Sequence, residues 1–239
     1  VNRSIILFGA AREQSTRCHD KMMRPFADTT LYDIYLRKLE ELSKSEVFSR
    51  VVIGVARSDE RMWARAAESG VEVAERSEES VARGIRPRGE ELHFLDQFEE
   101  SHALFFNGCL PFLPVSHVEQ AARQFLATDA VSLTYVRPAR NWYWTHDTLA
   151  PINNQDARCL STQGCTPLNE SVHAVNIYPR ERMLKQNVRW SYANDLDPLV
   201  RVLYGVDSVK LLDVDDEEQH EYCAWKWAKR QRASEDGAT

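Results

Sequence analysis

The sequence predicts an α/β fold in which a mostly parallel mixed sheet lies between two layers of helix. Three observations carry this reading. Short apolar runs end at glycine or polar residues, amphipathic stretches of helical period separate them, and the two kinds alternate as far as Tyr135. Ser4-Ile5-Ile6-Leu7-Phe8 is the first such run and stops at Gly9, as a buried parallel strand does. Thr30 then precedes Leu31, Ile34, Leu39 and Leu42, a helical stripe, and Val51-Val52-Ile53-Gly54-Val55 is the second strand. A helix over 59–69 closes at Gly70 in the position after its cap, and Val71-Glu72-Val73 follows as a third strand. The polar stretch 77–90 leads to a helix at about 90–101, and Ala103-Leu104-Phe105-Phe106 reads as a central strand ending at Asn107-Gly108. A helix over 116–127 and the strand Val131-Ser132-Leu133-Thr134-Tyr135 complete the alternation.

Beyond Asn141 the pattern changes. Trp142-Tyr143-Trp144, a polar stretch to about 170 and the run 172–178 suggest a β-rich insertion over about 138–178, followed by a short helix at about 180–187. Lys210-Leu211-Leu212-Asp213 reads as a late strand, and 216–230 as a final amphipathic helix. At 239 residues this is one domain over 1–230, with a flexible tail at 231–239.

Composition narrows the function classes. A charged fraction of 28% beside 10% aromatics excludes a disordered polyampholyte, and 9 Gly exclude low-complexity chains. No apolar run reaches the ~20 residues of a membrane span, and VNRSIILFGA is too short for an export signal. Cys18, Cys109, Cys159, Cys165 and Cys223 are odd in number and lack CxxC spacing, so neither a disulfide framework nor a structural zinc site is expected, and a reducing cytoplasm fits. With 30 Lys+Arg against 36 Asp+Glu the net charge is -6, so nucleic acid is not held by the overall field, and phosphate binding requires a local basic cluster.

That cluster follows the first strand. The loop from Ala11 to Met22 carries Arg12, Ser15, Arg17 and Lys21 where ligands gather in open α/β sheets, beyond the carboxyl ends of the strands. Arginine forks and a lysine point charge suit a polyphosphate; a solvated charged loop is the plain alternative. The loop is neither GxGxxG nor GxxxxGK[ST], so dinucleotide and Walker-type sites are not expected. No Ser-His-Asp or Cys-His arrangement surrounds a nucleophile turn, which leaves hydrolase chemistry without support.

The pattern A-R-x-x-S-x-R-x-x-x-K from Ala11 to Lys21 resembles the signature loop of the sugar-activating cytidylyltransferases, the family of the acylneuraminate and octulosonate enzymes. Further likenesses fall in the same order: Lys21-Met22 leading through Arg24-Pro25-Phe26 into the first helix, Val73-Ala74-Glu75-Arg76 after the third strand, Phe105-Phe106-Asn107-Gly108-Cys109-Leu110-Pro111-Phe112 at a strand end, and Leu211-Leu212-Asp213-Val214-Asp215 before an acidic helix start. The chain departs from the family at Glu13-Gln14, where Gly-Gly is usual, at His19-Asp20, where Pro-Gly is usual, and at Cys109, where the octulosonate branch has a metal-binding Asp.

The resemblance implies a three-layer, Rossmann-like nucleotidyltransferase fold and a cytoplasmic enzyme that transfers CMP from CTP to an anionic acceptor and releases pyrophosphate, with Mg²⁺ as cofactor. A sialic-acid-like 2-keto sugar acid is the first choice of acceptor; a small phosphonate or phosphate ester is the alternative, and a non-catalytic nucleotide-binding relative is the third reading. Arg12 and Lys21 are the expected catalytic cations. Ala10, Ala11, Arg12, Ser15, Arg17, Lys21, Arg76, Asn107 and Gly108 are the expected nucleotide contacts. Asp213 and Asp215 are the expected metal ligands, two apart and so on one face of a strand; acids at a helix N-terminus would have a similar sequence for a different reason. An Arg after a strand is also compatible with a surface charge, Asn107-Gly108 with a simple turn, and Cys109 with a small buried hydrophobe. Gln163, His173 and Arg140 are offered as acceptor contacts, while the aromatic trio 142–144 is read as strand and dimer packing in preference to a ligand surface. A homodimer built by the insertion follows from the resemblance, with no nucleic acid and no membrane among the partners.

Overall fold

The computed structural model describes residues 3–81, 90–153, 161–186, 200–203 and 208–236. Strand β1 (Ile5–Ala10) is an interior strand of a seven-stranded sheet. Beside it lie β4 (Arg50–Ala56) and then β5 (Glu72–Arg76) on one flank, and β6 (His102–Phe106), β8 (Leu168–Pro179), β7 (Ser132–Ala139) and β9 (Val200–Leu203) on the other. All pairs are parallel except the two made by β8, which runs antiparallel between β6 and β7. A two-residue pair, β2 (Pro25–Phe26) and β3 (Thr29–Thr30), stands apart as a small hairpin.

β1 alternates strictly between the two faces. Ile5 and Leu7 join the larger core beneath α1 (Leu31–Ser43), α2 (Glu60–Glu68) and α4 (Val115–Leu126), while Ile6 and Phe8 join a smaller core with Phe94, Leu95 and Met183. The smaller layer is supplied by a 3₁₀ segment, Glu90–Gln97, where a regular helix was expected, and by α5 (Arg180–Gln186). A four-residue helix α3 (Glu78–Val81) interrupts the expected polar loop. Thr30 caps α1 by accepting a hydrogen bond from the Asp33 N–H at 3.0 Å, and the stripe Leu31, Ile34, Leu39, Leu42 is buried as its spacing predicts. After α2, Gly70 takes φ +75°, the left-handed position a glycine fills without penalty.

Three further expectations change. The segment read as a late strand is a 3₁₀ turn, Ser208–Leu211, because it crosses the end of β6 instead of running beside it; the Val214 N–H to Cys109 carbonyl bond, 2.9 Å, ties it there. β8 also starts earlier, and only its first part belongs to the β-rich insertion, since 174–178 are buried in the central sheet. The final helix α6 (Glu217–Asp236) runs past 230. Among the described residues no helix is long and apolar enough to cross a membrane.

Candidate active site

The basic loop leaves the sheet between β4 and β6, at the carboxyl end of β1. Its first residue is fully engaged: the Ala11 N–H donates to the Gly54 carbonyl at 3.2 Å, and its carbonyl accepts from Arg76 at 3.2 Å. Arg76 is 5% exposed and also donates to the Ser80 carbonyl at 3.0 Å, so it is no surface charge; it braces the loop from below. Arg12 reaches the Val81 carbonyl at 3.5 Å. Ala10 is the last residue of the β1 ladder, opposite Gly54.

The middle of the loop is held from α2. Arg61 donates to the Glu13 carboxylate at 3.3 and 3.1 Å and to the Asp20 carboxylate at 3.1 and 2.7 Å, drawing together the two ends of 13–20. Glu13 also accepts from the Arg61 backbone N–H at 3.1 Å. A small cleft of about 160 Å³ lies against this clamp, lined by Glu13, Gln14, Ser15, His19, Asp20 and Arg61. Asp20 sits at φ +49°, which a short Asx side chain tolerates better than most. The chain thus adopts a left-handed turn where the resembled family has glycine. Nothing in the sequence marks Arg61, which lies on a different element far along the chain.

Past the clamp the loop meets an acidic turn. Lys21 donates to the Val214 carbonyl at 2.7 Å and lies 3.5 Å from Asp215, and Arg17 pairs with the same Asp215 oxygen at 2.8 Å. Asn107, at the end of β6, donates to Asp213 Oδ2 at 3.1 Å, and its own carbonyl oxygen accepts from the Cys109 N–H at 2.9 Å. Asp213 Oδ1 is buried with no hydrogen-bond partner. Burial and the neighbouring Asp215 charge push the Asp213 carboxyl up to about 6. Burial works to lower the Lys21 ammonium, but the Cys109 sulfur and the carboxylates of Asp215 and Asp213 outweigh it and hold Lys21 above the ordinary lysine range. Burial raises the partly buried Cys109 thiol, against the neighbouring Lys21 charge, which pulls it down.

The helix-start reading of these acids belongs to their neighbour. Asp216 accepts from the Gln219 N–H at 2.8 Å, and the Gln219 side chain accepts in return from the N–H groups of Asp216 and Asp215, a capping box. Asp216 therefore caps α6, leaving the side chains of Asp213 and Asp215 turned to the loop. Glu217 adds a second tie, accepting from the His19 N–H at 2.9 Å and pairing with Arg24.

Gly108 and Gly9 make room for Tyr35. A Cβ on Gly9 would lie 2.2 Å from the Tyr35 hydroxyl and one on Gly108 2.4 Å from its ring. That hydroxyl donates to the Phe106 carbonyl, so Tyr35 pins the strand end that carries Asn107. Lys38, also on α1, donates to the Leu110 and Pro111 carbonyls at 2.9 and 2.7 Å and fixes the turn after Cys109. Sequence reading passed over both because they act on backbone.

His173 is exposed, at φ +47°, inside an irregularity in the β7–β8 ladder, and Ala174 next to it accepts from the Asn107 N–H at 3.0 Å. Arg140 and Gln163 meet each other, the Arg140 guanidinium 3.5 Å from the Gln163 carbonyl, within the β-rich insertion; no described contact joins them to the acidic turn.

No protein-family model matches the chain, and no curated protein does. Solved structures do. A CMP:2-keto-3-deoxy-manno-octonic acid synthetase complexed with CTP superposes with a TM-score of 0.64 over 95% of this chain and 99% of its own, at 12% identity. This chain has that fold. The 4-diphosphocytidyl-2C-methyl-D-erythritol synthase from Anaerococcus prevotii DSM 20548 matches with a TM-score of 0.64, 9% identity and coverage of 94% and 96%. The bifunctional IspDF from Campylobacter jejuni matches with 0.60 and 11% identity over 90% of this chain and 53% of its own. The predicted α/β class and its mostly parallel mixed sheet thus hold.

Proposed function

We propose that the chain is a cytidylyltransferase that transfers CMP from CTP to an anionic acceptor, a sialic-acid-like 2-keto sugar acid, and releases pyrophosphate. One observation carries the reading: Arg17 and Lys21, from the loop after β1, converge on Asp215, next to the Asp213 that Asn107 holds at the end of β6, on a fold shared with a synthetase crystallised with CTP. In the reaction the acceptor oxygen bonds to the α-phosphorus as the bond from that phosphorus to the bridging oxygen breaks. Catalysis of such a step rests on positioning and on neutralising phosphate charge. Lys21 is held protonated beside the site, and the Arg17 fork is an exposed side chain bound to a single carboxylate oxygen, able to exchange that partner for phosphate. Arg12 and Ser15 complete the donor set, and His173 supports contact with the acceptor from the bulge.

The acids fit a divalent cation. A buried carboxylate oxygen with no donor, beside a second carboxylate, is a donor pair for a hard ion, and Mg²⁺ commonly takes one or two carboxylates together with substrate phosphates. Asp213 and Asp215 are the protein carboxylates that would hold it; among the described residues no group of three or more His, Cys, Asp or Glu converges, which leaves the remaining positions to phosphate oxygens and water. When bound, the ion supplies charge neutralisation on the phosphates. The left-handed turn at Asp20 favours an active enzyme over a non-catalytic relative, since the missing glycine has not closed off the loop conformation. A copy contact through the β-rich region around 138–178 is part of the same reading.

The test is pyrophosphate release with CTP, Mg²⁺ and a panel of keto sugar acids, phosphonates and phosphate esters. Turnover with the sugar acids is expected. Turnover with phosphonates or phosphate esters alone overturns the acceptor, and CTP-dependent thermal stabilisation without release on any of them overturns catalysis.

A further inference from the structure

α6 has two faces of different character. One packs inward: His220 and Cys223 are buried, and Trp227 lies against Phe26 and Phe112, ring centroids 6.2 and 5.9 Å away. The other carries Glu218, Tyr222, Trp225, Lys229 and Arg232, all exposed and spaced four, three, four, three along the helix, so that they form one stripe with an aromatic pair at its centre and charges at its ends. Tyr222 is 49% and Trp225 54% exposed, with ring centroids 6.0 Å apart, and the Lys229 ammonium stands 5.4 Å from the Trp225 ring. Among the described residues Glu218, Glu221, Lys229 and Arg232 form no ion pair.

Charge on this helix is divided end to end. Residues 215–221 hold five acids and no base, and 226–232 hold four bases and no acid. Such a helix complements itself when reversed. We propose that α6 is a self-association surface, on which a second copy of the chain lays its own α6 antiparallel, with Trp225 meeting Trp225 on a two-fold axis. Counting outward from that axis, Glu218 lies level with the partner subunit's Arg232, seven residues either side of Trp225, and Glu221 with the partner subunit's Lys229, four either side, and each pair occurs twice because the contact is isologous. Stacked aromatics with lysines also suit a single-stranded nucleic acid. The five acids over 215–221, three of them on α6 itself, and a net charge of -6 oppose that occupant.

Sedimentation velocity on the full chain over about a hundredfold range of concentration tests the proposal. The expected result is reversible self-association, with Trp225→Glu halving the mass of the associated species while helix content stays unchanged. Arg232→Glu should weaken association about tenfold, since each charge pair is counted twice across the axis, and adding Glu218→Arg should restore it. Trp225→Cys should cross-link to itself under mild oxidation where the parent chain does not. A chain that is monomeric throughout overturns the proposal, as does an oligomer indifferent to Trp225→Glu, which would be joined through another surface. Binding of a labelled single-stranded oligonucleotide by a monomeric chain, abolished by Trp225→Glu, also overturns it.

Discussion

Replacing Arg61 by Ala removes the clamp that closes the loop, without touching any group expected on the phosphates. Arg61 makes two fork-like pairs, to Glu13 and to Asp20, with side chains 55% exposed on the arginine and 21% on each acid. Exposed pairs contribute about 0.2–1 kcal/mol each, so the two together are worth about 0.4–2 kcal/mol, spent on ordering 13–20. If the ordered loop is the form that binds CTP, its loss lowers the competent fraction by about 2–30-fold at about 1.4 kcal/mol per factor of ten. The expected result is a KM for CTP raised by about that factor with kcat within about twofold, because the removed interaction is made before the chemical step. Arg61→Lys should fall between, keeping charge and losing the fork. Hydrogen exchange of the amides at 13–20 in the ligand-free protein gives a readout independent of turnover and should quicken by a similar factor. The reasoning is refuted if Arg61→Ala leaves both exchange and KM unchanged, or if kcat falls while KM holds.

Four further outcomes are expected. Lys21→Ala should reduce kcat/KM for CTP by at least about 10²-fold in the pyrophosphate assay, since Lys21 is the buried cation beside the acids; parent-like rates would remove it from the site. Asp213→Asn, which can still accept from Asn107, should abolish the Mg²⁺-dependent part of CTP stabilisation in thermal melts, and an unchanged Mg²⁺ response would exclude the acid pair as ligands. Gly9→Ala should cost about 1–3 kcal/mol by overpacking Tyr35, and Tyr35→Phe, which removes the closest atom, should recover part of that cost in chemical denaturation; simple additivity would contradict the packing argument. His220 is buried and its ring is pushed down to about 4 by burial and by Arg24. It stays neutral in the fold while the unfolded chain protonates below about 6.5, so stability should fall by up to about 3 kcal/mol as pH drops from about 6.5 towards 4. His220→Gln should flatten that slope in melts across the range, and an identical pH profile in the variant would show that the group does not titrate as argued.

The acidic turn shows how far local pattern reaches. Residues 210–216 contain enough apolar residues and acids to suggest a strand, a metal pair and a helix start at once, and no count of spacing separates them. The fold separates them by assigning different residues to different partners: Asp216 to Gln219, Asp215 to Arg17 and Lys21, Asp213 to Asn107. The strand expectation failed because a segment is a strand only where a neighbour offers a ladder, and here only Val214 finds one bond. Arg76 was visible as a cation after a strand, but whether it faced a ligand or the carbonyls of Ala11 and Ser80 depended on the height at which the next turn crosses it.

What the sequence determined by itself is whatever depends on neighbours along the chain. The alternation of buried runs with amphipathic stripes, the Thr30 cap, the Gly70 stop and the basic loop after β1 are such features, because side-chain periodicity and capping act within a few residues. The tertiary structure decided which charges meet. Arg61 reaches Glu13 and Asp20, and Lys21 reaches Val214 and Asp215, across separations that only the packed sheet closes. Electrostatic partners are set by distance in space and by loss of solvent, and neither quantity is written in the local order of residues.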